Sequence, residues 1–260
     1  KMSTGTDSAQ SSLLSCEEVI SAVDGTLVCG SPSSFCFTNV ATDSRQVVQK
    51  TLFIPLIGEN QDGHAYIPQA LEKGASVVFI CDKNYAADKD SFDSLAKKYP
   101  AASFITVTNT LSALQSAAAK YVEKFPRLIR IGVTGSSGKT TTKEIAAAIL
   151  SQKYTVITNK GNLNSETGLP LSVFTIRPEH QVGLFEMGMN RVNEIKEIAG
   201  VLKPQYAIIT NIGTAHIGIL GSRQNIAAEK ANIFNHLGKN GVAIIPCDDD
   251  FTKYLASRVE

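Results

Sequence analysis

Residues 132–142, GVTGSSGKTTT, constrain the fold of this chain more than any other stretch. An apolar run at 128–133 that suits a buried strand leads into them. The segment KTTTKEIAAAILSQK, with helical periodicity, leads out. A strand, a Gly/Ser turn and a helix N-terminus together make a cradle for phosphate. Glycines let backbone N–H groups close on the anion, and the helix dipole adds positive potential. In such a cradle Lys139 reaches the terminal phosphates and the Thr140 hydroxyl suits Mg²⁺. The strict pattern G-x-x-x-x-G-K-[ST] is not met, because Val133 stands where its first glycine belongs. A Ser/Gly-rich turn before an ordinary helix is the alternative, and the flanking strand and helix favour phosphate binding over it.

From this loop onward the chain alternates regularly. Strands are expected at LIRIGV, YTVIT, VGLFEM, YAIIT and VAIIP, and helices begin near Lys139, Ser165, Val192 and Ser222. Such alternation implies a parallel sheet covered on both faces. Sheets of this kind bind ligands at the carboxyl ends of their strands. That rule selects the loop after Val133, Glu186 in FEMGMN and Asn211 in TNIGTAH.

The preceding part reads as a smaller α/β region. Ser15 and Glu18 form a capping box that starts a short helix ending near Gly25, and a Gly/Ser/Pro loop follows. FCFTNV, LFIPLI, SVVFI and SFITVT are strand candidates. Helices are expected in HAYIPQALEKG, within the polar stretch 84–100 and in LSALQSAAAKYVEKF. The expected organisation is a disordered leader at 1–12, a small N-terminal α/β domain at 13–126 and a parallel-sheet, P-loop ATPase-like central domain at 127–260.

Composition narrows the function classes. A formal net charge of +1 argues against a nucleic-acid partner held by bulk electrostatics. No apolar run approaches the roughly 20 residues that a membrane span needs. Cys16, Cys29, Cys36, Cys81 and Cys247 form no C-x-x-C pair and suit reduced thiols in a cytoplasmic protein.

Glu186 closes an apolar strand, so its carboxylate faces either solvent or the phosphate loop. Beside a phosphate loop, Mg²⁺ ligation is the better reading, since hard oxygens suit that ion. His216 follows Asn211 in the same strand-end segment, which favours a functional role over that of an ordinary loop histidine. Lys230 lies in the helix SRQNIAAEKANIFNHL, where a solvated surface lysine is the plain expectation. Asp62 and His64 fall in a loop of the first domain, and His180 and His236 read as surface residues.

GVTGSSGKTTT, GNLNSETGLPLSVF, LFEMGMN and ITNIGTAHIGILGSRQNIAAEKANI together resemble the Mur ligases, ATP-dependent amide-bond formers of bacterial cell-wall synthesis. Their phosphate loop departs from the strict pattern in the same way. TDSRQVVQKTLFIPLIGENQDGHAYIPQALEKGA is most similar to the member that joins D-alanyl-D-alanine to UDP-N-acetylmuramoyl-tripeptide. The resemblance implies ATP and two Mg²⁺ ions as cofactors, a cytoplasmic location and a monomer. It places Gly135, Ser136, Ser137, Gly138, Lys139, Thr140 and Thr141 on the ATP phosphates and Asn211 near the adenine. Thr140 and Glu186 would hold one Mg²⁺. His216 and Lys230, the latter as an N-carboxylated carbamate, would hold the second. Ser44 and Arg45 would contact the UDP end of the substrate, with Asn164, Ser165, Glu166 and Thr167 along its muramoyl portion. The implied reaction passes through an acyl phosphate that the dipeptide amine attacks. Lys139, Glu186, His216 and Lys230 are its catalytic set.

Family members carry a third domain for the amine substrate, so the resemblance also implies a fragment that does not ligate by itself. Two alternatives stay open. One is a neighbouring Mur-type or folylpolyglutamate-type ligase; the other is a nucleotide-binding module without ligase activity.

Overall fold

Short apolar runs separated by polar turns build two open sheets, one in each of two compact units that divide between Ala117 and Ala118. The structure, a computed structural model, describes residues 11–259. Residues 1–10 of the expected leader lie outside the described residues. Ser12, at the leader's end, donates its hydroxyl to the Leu14 carbonyl and accepts from the Phe37 N–H.

In the first unit β1 (Thr26–Cys29), β2 (Asn39–Ala41), β3 (Thr51–Phe53), β4 (Ala75–Cys81) and β5 (Ser103–Val107) lie in the order β1-β5-β4-β3-β2. All neighbours are parallel except β1, which runs antiparallel to β5. Strands β4 and β5 are buried almost throughout, as expected of the middle of a sheet covered on both faces. The capping box forms as expected: Ser15 N–H donates to Glu18 at 2.7 Å and Glu18 N–H to the Ser15 hydroxyl at 3.1 Å.

Four local expectations need correction. FCFTNV is a strand only at its end, where Asn39 and Val40 begin β2. TLVC, read as the start of a loop, is the edge strand β1; it is short and half-exposed, so its alternation is too weak to read. LFIPLI is a strand only as far as Phe53, because Pro55 brings no N–H to the ladder. The stretch 84–100 carries two helices, Asp82–Ala87 and Lys89–Lys98, where one was expected. His64 is buried, and its role is structural. It meets Asp62 through Nδ1 at 2.6 Å, while its Nε2 accepts from the Cys81 N–H at 2.9 Å. The imidazole thus fastens the turn Gly63–Tyr66 to the end of β4.

In the second unit β6 (Ile129–Thr134), β7 (Val156–Thr158), β8 (Val182–Glu186), β9 (Tyr206–Ile209) and β10 (Val242–Ile244) are the five expected strands. They are all parallel, in the order β10-β9-β6-β8-β7. Strand β6 has β8 on one side and β9 on the other, so the strand order reverses across its carboxyl end. That position is a ligand crevice in open α/β sheets. The expected helices appear as Lys139–Leu150, Gly168–Val173, Glu194–Leu202 and Arg223–Ala231. Ser222 caps the last, accepting from the Asn225 N–H. Among the described residues no helix is long and apolar enough to cross a membrane.

The helix Glu194–Leu202 begins after Asn193 in the left-handed region and has no local side-chain cap. Its cap comes from elsewhere: the buried carboxylate of Glu229 accepts from the Asn193 and Ile195 N–H groups, each at 2.9 Å. Glu229→Ala leaves both donors unpaired, that of Ile195 in the interior and that of Asn193 nearer solvent, and it should lower unfolding free energy by about 2 kcal/mol. Urea denaturation measures this; a loss below about 1 kcal/mol would show that water replaces the cap.

Candidate functional site

The turn after β6 is shaped by two glycines with different reasons to be glycine. Gly135 has φ 152°, and a Cβ there would stand 1.8 Å from the Thr210 hydroxyl oxygen. Gly138 has φ 76°, precedes the helix Lys139–Leu150, and its Cβ direction meets no atom within 4 Å. The first glycine therefore permits close packing, and the second permits a left-handed turn that opens toward solvent.

The segment after β9 holds this loop. Ser136 N–H donates to the Asn211 carbonyl at 3.1 Å, and Gly213 N–H donates to the Ser136 hydroxyl at 2.8 Å. Ser137 N–H donates to the Asn211 side-chain oxygen, whose amide nitrogen in turn donates to the Ser137 carbonyl and hydroxyl. Asn211 thus spends its side chain on fixing the loop at Ser137. Thr141 is exposed on the first turn of the helix.

Lys139 and Lys230 converge on one atom. Both ammonium groups donate to the Gly135 carbonyl oxygen, at 3.0 and 2.9 Å. Lys230 is only 1% exposed, which overturns the plain expectation of a solvated helix lysine. Burial, reinforced by the Lys139 charge, brings its pKa down to about 7. His216 stands at φ 69°; its pKa is lowered by burial and by the charges of Lys230 and Lys139. Basic groups from three elements thus gather around the start of the loop.

Glu186, at the end of β8, is 3% exposed, so it is not a solvated strand-end charge. One carboxylate oxygen accepts from the Thr140 hydroxyl at 2.7 Å, and the other accepts from the Asn164 amide at 2.9 Å. Asn164, expected along a substrate, is therefore bound to this acid. Its neighbours form a pinned loop. The Ser165 hydroxyl accepts from Gly168 N–H, and Glu166 N–H donates to Glu194 at 3.1 Å. The Glu166 carboxylate pairs with Arg191, which also pairs with Glu197. Thr167 precedes the helix Gly168–Val173 without a side-chain cap bond.

No group of three or more His, Cys, Asp or Glu gathers for a metal among the described residues. What is present is a hydroxyl and a carboxylate in contact, Thr140 and Glu186, beside a loop rich in N–H donors and ammonium groups. That set fits a nucleotide phosphate with Mg²⁺, which takes one or two protein oxygens and draws the rest from phosphate and water. ATP and Mg²⁺ are consistent with this chemistry on the donors alone.

The first unit has its own concave site, a cavity of about 620 Å³ whose lining includes Thr42, Ser44, Arg45, Gln61, Tyr66 and Gln69. Ser44 is buried and donates its hydroxyl to Gln69 at 2.6 Å. The Arg45 side chain is 83% exposed and grips Asp43, whose carboxyl it pulls down to about 2. Of these residues the sequence offered only Ser44 and Arg45. Gln61, Tyr66 and Gln69 sit in an ordinary turn and helix, and only tertiary proximity brings them to the cavity.

A Mur ligase middle domain model matches residues 133–260, and a Mur ligase family catalytic domain model matches 37–122. Over 245 residues the chain is 49% identical to the UDP-N-acetylmuramoyl-tripeptide–D-alanyl-D-alanine ligase of Treponema pallidum, covering 94% of this chain and 52% of that protein. The crystal structure of MurF from Acinetobacter baumannii superposes with a TM-score of 0.80 at 31% identity, covering 94% of this chain and 51% of that one. MurF from Thermotoga maritima in complex with ADP gives 0.72 at 30% identity, covering 85% and 48%. The chain spans about half the length of these relatives.

The burial of Lys230 has a measurable consequence. Its folded pKa of about 7 lies below the ordinary lysine value of about 10.4. Between those values the unfolded chain holds a proton that the folded chain has released, so stability rises as pH rises from about 7 toward about 10. Denaturation series across that window should show this rise in the native chain and a flatter slope in Lys230→Met. Equal slopes would mean that Lys230 titrates normally.

Proposed function

The chain belongs to the Mur ligase family, and on that premise we propose that it forms the UDP-substrate and ATP-binding parts of the ligase that joins D-alanyl-D-alanine to UDP-N-acetylmuramoyl-tripeptide. The observation that carries the reading is the meeting of Lys139, Lys230, Thr140 and Glu186 at the carboxyl end of the central strand. The names of the relatives at 49% and 31% identity support the choice of substrates.

In this reading the loop Gly135, Ser136, Ser137 and Gly138, with Lys139, holds the triphosphate; the Ser136 and Ser137 N–H groups, which donate to Asn211 in the structure, would exchange that partner for phosphate oxygens. Thr140, Thr141 and the helix N-terminus face the same charge. Bound ATP supplies the phosphoryl group that activates the peptide carboxylate as an acyl phosphate for attack by the dipeptide amine. Thr140 and Glu186 are the protein oxygens for one Mg²⁺. His216 and Lys230 serve the second, with Lys230 carboxylated on its nitrogen. An ammonium cannot ligate a cation, whereas a carbamate can. A lysine of pKa about 7 keeps a large neutral fraction at neutral pH, the form that adds CO₂. Conversion to the anion also removes the repulsion between Lys230 and Lys139.

Region 13–126 takes the UDP end of the substrate at the cavity of Ser44 and Arg45. Asn164, Ser165, Glu166 and Thr167 serve the muramoyl portion, Asn164 doing so while it steadies Glu186. Region 127–260 takes the nucleotide. Asn211 acts by fixing Ser137 within hydrogen-bond reach of the phosphates.

Two measurements test the proposal. Titration calorimetry of UDP-N-acetylmuramoyl-tripeptide into this chain should show binding that Arg45→Ala weakens about tenfold. In the complete ligase, phosphate release should require both the UDP-peptide and D-alanyl-D-alanine. Lys139→Ala should lower that release by about 10³-fold at an unchanged melting temperature. Release that ignores D-alanyl-D-alanine, or survives Lys139→Ala, would sink the reading.

A further inference from the structure

Lys143 is a buried lysine that the proposed chemistry does not use. It is 1% exposed, on the helix Lys139–Leu150, one turn beyond Lys139 and Thr140 and so on their side of the helix. Its ammonium group donates to the carbonyl of Asn159 at 2.9 Å and reaches Glu144, a largely exposed acid, at 3.1 Å. Burying an ammonium group is costly unless its donors are used. A surface lysine at this position would serve the helix equally well, so helix formation does not explain the burial.

The explanation lies in what Asn159 does. It follows the last residue of β7 and is 1% exposed. Its side-chain oxygen accepts from the Glu186 N–H at 2.9 Å, and its amide donates to the Glu186 carbonyl at 2.9 Å. The same amide donates to the Leu163 carbonyl at 2.8 Å. One side chain thus saturates both backbone groups of Glu186 and adds a further rung to the β7–β8 ladder. It also ties in the chain just before Asn164, which holds the Glu186 carboxylate. The lysine anchors the asparagine, and the asparagine anchors the acid.

We propose that Lys143 and Asn159 are positioning residues that set the place of the Glu186 carboxylate for a nucleotide-bound divalent cation. The proposal rests on Glu186 being a metal ligand. Such an ion tolerates little error: Mg²⁺ demands near-octahedral geometry at about 2.1 Å. The helix that supplies Thr140 also supplies Lys143. Through Asn159, Lys143 fixes the distance between the hydroxyl and the carboxylate, although they sit on different elements.

The test reads metal binding rather than turnover. Mn²⁺ is titrated into this 260-residue chain in the presence of ADP and followed by electron paramagnetic resonance. Lys143→Met should weaken Mn²⁺ binding about tenfold or more and change ADP affinity without metal less than about twofold. Lys143→Arg, which keeps a donor on a long stem, should restore most of the Mn²⁺ affinity. A purely structural lysine would instead lower the melting temperature and leave the Mn²⁺ affinity of the folded protein at the native value; that result overturns the proposal. If Lys143→Met does not fold, Asn159→Ala carries the same comparison, and native Mn²⁺ affinity in it overturns the proposal equally. Glu186→Gln separates the two levels of argument. Undiminished Mn²⁺ binding there removes Glu186 as a ligand and the proposal with it. A loss there, alongside native affinity in Lys143→Met, keeps the ligand and refutes only the positioning role.

Discussion

Two lysines from different helices end on the same carbonyl oxygen, that of Gly135, and much of the second unit is arranged to make that possible. The carbonyl is available because Gly135 turns through a conformation with no room for a Cβ, against the hydroxyl of Thr210. Burial first, and the nearby Lys139 charge second, lower the pKa of Lys230 to about 7. A carbonyl dipole satisfies such donors only in part. The arrangement has the electrostatic form of a place built for an anion of more than one charge.

Buried acids supply the matching negative groups, and they do so mainly by organising backbone. Glu194 accepts from the N–H groups of Glu166 and Asn190, and Glu229 accepts from those of Asn193 and Ile195. Each carboxylate thus uses both oxygens on loops that reach the carboxyl edge of the sheet. Glu186 differs. Its oxygens accept from the side chains of Thr140 and Asn164, groups that rotate more cheaply than backbone moves. Among these acids it is the one whose partners can yield to a cation without unfolding a loop.

Most of the second unit was legible in the sequence because its strands are continuous apolar runs that alternate regularly with helical periodicity. Gly132 through Thr142 pointed to a phosphate cradle from local chemistry alone, and the structure places a strand, a glycine turn and a helix start there. Glu186 and Asn211 followed from the rule that parallel sheets bind at the carboxyl ends of their strands. What the sequence hid was long-range. The strand β1 is too short and exposed to alternate visibly. Lys143 falls in a helical pattern where surface lysines are common, and nothing local says that it points inward to Asn159. Lys230 looked solvated for the same reason. Gln69 enters the first unit's cavity by a hydrogen bond to Ser44 from well along the chain. Helical lysines are ambiguous in principle, because their long stems allow either burial or snorkelling, and packing alone decides.

On the proposed reading, Thr140 and Glu186 as metal donors would be compatible with the lack of any group of three acids among the described residues. Mg²⁺ in nucleotide sites keeps several waters and draws further oxygens from phosphate, so the protein contributes few ligands. A hydroxyl and one carboxylate suffice, provided they are held at the right separation. A site with many acids can trade one ligand for another when a loop shifts; a site with two cannot. Its affinity then depends on how stiffly those two are joined. Here the joint runs through the interior: helix to buried ammonium, ammonium to asparagine, asparagine to the backbone of the acid. A sparse donor set with a rigid support also binds poorly without the nucleotide phosphates and well with them. On the proposed reading metal and nucleotide would then enter as one ligand, as phosphoryl transfer requires.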